Sequence, residues 1–86
     1  DNTAMPPEFL RQQMAWRESL DEAVSRGEVA AVAAELSDGR RLAYERLAEA
    51  LDERSDFAGA AAEVRALMFI ERFAADVEDR LMALEG

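Results

Sequence analysis

Residues 36–43 read LSDGRRLA, and whether they interrupt a helix or lie inside one decides the fold. Ser37, Asp38 and Gly39 all favour turns, and a glycine in a helix interior costs about 1 kcal/mol relative to alanine. The spacing on either side argues for continuity. Leu36 and Ala43 are two helical turns apart, so an apolar face entering the segment leaves it in phase. That face is Val29, Val32 and Leu36 before the break and Ala43, Leu47, Ala50 and Leu51 after it. The reading is one long helix over 28–54 with a local weakness at Gly39.

Downstream, Ser55-Asp56 is a turn and N-cap pair, two short polar residues suited to satisfy orphan helix amides. A further helix is expected over 57–84, with a core stripe of Phe57, Ala60, Val64, Leu67, Ala74, Val77, Leu81 and Leu84. Upstream, Pro7 suits a first helical turn, where its missing N–H costs nothing. Glu8 then sits against the positive end of the helix dipole. The first helix is expected over 7–26, stopped by Gly27, with a stripe of Phe9, Trp16, Leu20, Ala23 and Val24. Residues 1–6 form a polar lead-in to a single domain over 7–86. No segment alternates as a strand would. Connections of one or two residues force neighbouring helices to reverse, so the expected fold is all-α, an elongated antiparallel three-helix bundle.

Composition removes most chemistry. The 86 residues contain no cysteine and no histidine, and all ten basic residues are arginine. Thiolate chemistry, the commonest neutral-pH base and the commonest metal ligand are therefore missing. No cofactor and no metal site are expected, and no enzyme. The net charge of −9 repels nucleic-acid phosphates and anionic membrane surfaces, and favours partners carrying basic patches. No apolar run approaches the roughly 18 residues of a membrane span. The chain starts at Asp1 rather than Met, which is the expectation for a piece of a longer protein.

The first helix carries a second line beside its core stripe. Leu10 and Met14 fall roughly 110–120° from the stripe's centre, and Glu18 and Glu22 continue them at four-residue steps. Two apolar residues running into two acids describe either a wide core face or a partner-binding surface. Phe69 poses the same question on the third helix, because it lies off the stripe read there. The two carboxylates lack the further ligands that a metal or acid–base site needs, and the arginines are scattered among acids at helical pair spacings. Two rivals to partner docking stay open: a bundle that packs this stripe against its own copy, and a small helical enzyme of the chorismate-mutase kind. The enzyme would need a basic clamp that the scattered arginines do not form. A monomer is expected.

The residues also resemble a family. Phe9-Leu10, Gln13-Met14, Arg17-Glu18 and Leu20-Asp21-Glu22 look like the opening of the C-terminal domain of HscB, the J-domain co-chaperone of iron–sulfur cluster assembly. Asp56-Phe57, Ala60-Ala61-Ala62 and the run Val64-Arg65-Ala66-Leu67-Met68-Phe69 are similar to the family's Ala-rich entry into its last helix. The resemblance implies a bacterial cytoplasmic three-helix domain that binds the scaffold protein IscU for delivery to the chaperone HscA. It implies a binding face of Leu10, Arg11, Met14, Ala15, Glu18, Glu22 and Phe69. Arg11 stands where relatives often carry Met, and Ala15 where they often carry an acid. The J-domain, with its His-Pro-Asp turn, has no counterpart in a chain without histidine.

Overall fold

A computed structural model of the chain describes residues 7–53 and 55–85. They form three helices, α1 (Pro7–Glu22), α2 (Arg26–Asp52) and α3 (Phe57–Glu85), in a body of 47 × 22 × 15 Å. The all-α elongated bundle is as the sequence implies, and α2 runs unbroken through Gly39. The expected lead-in over 1–6, and the expected end of the second helix at Arg54, lie outside the described residues.

Helices α2 and α3 pack along each other, and three ion pairs record their register. Arg26 meets Glu85 at 3.1 Å, Arg40 meets Glu71 at 2.9 Å and Arg46 meets Glu63 at 3.2 Å. The partner's number falls on α3 as it rises on α2, so the two helices are antiparallel. These pairs are mostly exposed and act more as markers of alignment than as sources of stability. Helix α1 approaches the pair mainly through large side chains. Trp16, Leu20 and Ala23 enter the core with Val29, Val32, Leu36, Ile70, Phe73 and Val77, while Phe9 and Phe69 pack against its edge.

The first connection differs from the sequence expectation. Helix α1 ends at Glu22 rather than Arg26, and Gly27 lies in the first turn of α2 instead of terminating α1. The cause is a capping box that competes with the glycine stop. Ser25 sits in extended backbone, its Oγ accepts from the Glu28 amide at 3.2 Å, and the Glu28 carboxylate accepts from the Ser25 amide at 3.2 Å and the Val24 amide at 2.8 Å. Val24, expected in the core stripe, is outside the helix and exposed.

The second connection follows expectation in kind. Asp56 Oδ1 accepts from the Gly59 amide at 2.9 Å, opening α3. A Cβ on Gly59 would run into that carboxylate, so the bare residue lets the cap close. Ser55 adopts a positive φ of 48° to turn the chain. Ala60, Leu67 and Val77 of the expected α3 stripe are buried, but the buried face is rotated from that stripe. Phe57, Val64 and Leu84 are exposed, as is Leu51 on α2, whereas Ala66, Ile70 and Phe73 are buried. Helix α3 faces both α1 and α2, so its buried arc is broader than one heptad line and is centred between the two neighbours.

Candidate partner-binding surface

The flanks of α1 can be assigned from what each touches. The Arg17 guanidinium lies 5.3 Å from the Phe73 ring centroid, and Arg80 of α3 donates to the Leu20 carbonyl at 3.0 Å. The flank carrying Arg17 and Asp21 is therefore the one turned toward α3. The opposite flank, with Glu8 and Gln12, borders Glu35, Asp38 and Gly39 of α2 across a cleft of about 440 Å³.

Leu10 is two turns before Arg17 and Met14 two turns before Asp21, so both belong to the α3-facing flank. Neither is absorbed by the core: Leu10 is 47% exposed and Met14 73%. A line of four-residue steps drifts about 40° per step around a helix. It carries Glu18 to the outermost side of α1 and Glu22 beyond it. Both are exposed, as are Arg11 and Ala15.

Phe69 occupies a different setting from the one the sequence suggested. It is half-buried at the core edge. Its ring lies 5.9 Å from Phe9 edge-on, 6.4 Å from Trp16 in a stacked orientation and 5.6 Å from Phe73, also stacked. Phe9 in turn meets Trp16 edge-on at 6.0 Å. Such pairs contribute about 0.5–1.5 kcal/mol each beyond simple burial. Phe69 thus joins α1 to α3. The four-ring cluster escaped sequence reading because Phe73 lies outside the stripe read for α3. Its signal was available in the four-residue step from Phe69 to Phe73, which puts the two on one helix face.

Leu10 and Met14 form an exposed apolar ledge on the α3-facing flank of α1, continued outward by the carboxylates of Glu18 and Glu22, while Phe69 is half-buried in the aromatic cluster between α1 and α3. Exposed apolar and acidic side chains side by side are suited to contact with another protein. Among the described residues, no three His, Cys, Asp or Glu side chains converge to hold a metal ion. No helix among them is long and apolar enough to cross a membrane.

Residues 5–78 match the family model described as the HSCB C-terminal oligomerisation domain. Relatives include the co-chaperone protein HscB homologue of Bordetella petrii, 54% identical over 88% of this chain and 45% of that protein. The homologue of Azoarcus sp. is 46% identical over 99% of this chain and 50% of its own length. That of Burkholderia multivorans is 49% identical over the same shares. No solved structure matches the chain. The chain spans about half the length of the curated relatives it matches. The family is one of co-chaperones rather than enzymes. With the match running through all three helices, the chain belongs to the HscB co-chaperone family.

Proposed function

We propose that the chain is the scaffold-binding domain of its co-chaperone, and that its target is the iron–sulfur scaffold protein IscU. The observation that carries this reading is the exposure of Leu10 and Met14 on the flank of α1 that faces α3. Large apolar side chains left open beside an aromatic cluster are suited to be the few residues that dominate an interface. Glu18 and Glu22 supply attraction and orientation toward basic residues of the scaffold. Arg11 lies on the rim and adjusts affinity, whereas Ala15, two turns after Glu8, shares that residue's α2-facing flank. A small apolar ledge fits a transient complex with a dissociation constant on the order of micromolar.

Delivery to HscA would depend on a J-domain in the half of the family's length that this chain does not span. The complex would act in the bacterial cytoplasm. Calorimetric titration of IscU against the wild-type chain and a Leu10→Ala/Met14→Ala variant tests the reading. Binding should weaken at least about tenfold in the variant and moderately with added salt, which screens the carboxylates. Unchanged binding in the variant would overturn it.

A second reading is favoured by the description of the matched family model, which names oligomerisation. In it the chain also associates with its own copy, and sedimentation at several concentrations tests that directly.

A further inference from the structure

The side of the bundle away from α1 carries an apolar surface that neither the core nor the IscU reading uses. Tyr44, Leu51, Phe57, Val64 and Met68 are exposed there, Phe57 to 72%, and Leu47 is half-buried among them. Their contiguity follows from the register. Arg40 pairs with Glu71 and Arg46 with Glu63. Leu47 therefore lies level with Val64, and Tyr44 level with Met68. On α2, Gly39 and Asp38 border α1, and Arg40 is displaced about 100° from Gly39, across the buried line of Leu36 and Ala43. Tyr44, Leu47 and Leu51 follow Arg40 down this outer side.

Spacing and charge both describe what could cover the surface. Tyr44, Leu47 and Leu51 recur at steps of three and four, and Phe57, Ala61, Val64 and Met68 at four, three and four. That is the seam periodicity with which helices pack on helices, here on two adjacent helices at once. The chain as a whole carries −9, so two copies repel over most of their surfaces. This face is the exception. Its principal charges, Arg40 and Glu71, already neutralise each other at 2.9 Å. An acidic protein meets its own copy with the least like-charge repulsion on such a face, and a two-fold arrangement would set the same patch against itself.

We infer that the outer α2–α3 face, centred on Leu47, Leu51, Val64 and Met68, is the surface through which two copies of this chain associate, leaving the α1 ledge open on each. The inference rests on the self-association reading above and names its location.

Sedimentation equilibrium of the wild-type chain, with Leu51→Glu, Met68→Glu and Met14→Glu variants, tests it. Circular dichroism confirms that each variant keeps its helicity. Self-association should weaken at least about tenfold with Leu51→Glu or Met68→Glu, and should be unaffected by Met14→Glu. It should strengthen between about 50 mM and about 500 mM salt, because salt screens the repulsion between acidic copies. Should a variant fail to fold, dilution-dependent methyl shifts of Met68, measured against Met14 in the wild-type chain by NMR, locate the interface without substitution. A wild-type chain that stays monomeric at millimolar concentration would overturn both this inference and the self-association reading. Association lost with Met14→Glu but not with Leu51→Glu or Met68→Glu would overturn the location alone. Met68 shifts that respond to added IscU rather than to dilution would assign the face to the scaffold and overturn the inference.

Discussion

A Cβ built on Gly39 would lie 2.8 Å from Cη2 and 2.9 Å from Cζ2 of Trp16. These distances are below any ordinary carbon contact. The indole of α1 is therefore seated where α2 has no side chain, and the residue that looks like a helix breaker is the socket for the largest side chain of the core. Trp16 is 3% exposed, and no acceptor among the described residues reaches its Nε1. Shape holds it there rather than a hydrogen bond.

This relationship reverses the usual effect of a helix-strengthening change. Gly39→Ala should favour α2 by about 1 kcal/mol through propensity alone. Overpacking against the indole costs about 1–3 kcal/mol, so the net change is destabilising. Thermal melting followed by circular dichroism should show a lower Tm for Gly39→Ala, with part of the loss recovered by Trp16→Phe in the same chain. A raised Tm for the single variant would contradict the contact.

The candidate site residues should separate by their effect on folding. Leu10→Ala and Met14→Ala remove exposed groups and should change stability by less than about 0.5 kcal/mol. Phe69→Ala breaks ring contacts to Phe9, Trp16 and Phe73 and should cost about 1–3 kcal/mol, below the range for a fully buried Phe. Urea unfolding of the three variants checks the order. Equal losses for all three would mean that Leu10 and Met14 are structural.

The α1–α2 turn should loosen in acid. Hydrogen bonds from the Val24 amide, and then from Ser25, hold the Glu28 carboxyl below the usual carboxylate range. A folded-state pKa below the unfolded one means that the folded chain binds fewer protons. The stabilisation is thus present above the ordinary glutamate pKa of about 4.3, and is lost as pH falls through the depressed folded value. Amide hydrogen exchange at Val24 and Ser25 should rise over that window relative to exchange at Val29. Ser25→Ala should destabilise the chain by about 0.5–2 kcal/mol.

The sequence made the helix count legible because Leu36 and Ala43 stay in phase through Ser37-Asp38-Gly39. Ion pairs of Arg41 with Asp38 at 2.6 Å and with Glu45 at 2.9 Å further support the segment. It made Leu10 and Met14 legible for the same periodic reason. The end of α1 was not legible from Gly27 alone, since a glycine stop and a Ser-x-x-Glu start compete for the same residues and the start won. The burial of Phe73 and the exposure of Phe57 were hidden for another reason. A helix packed on two neighbours is centred by their arrangement, and no single stripe in its own sequence reports that.

The proposed reception of the scaffold protein by Leu10 and Met14 of α1 stands or falls on affinity at equal stability. The most direct measurement is calorimetric titration of IscU into the folded Leu10→Ala/Met14→Ala chain beside the wild type. Affinity should be at least about tenfold weaker in the variant, with an unaltered melting curve. Affinity equal to the wild type at equal stability would contradict it.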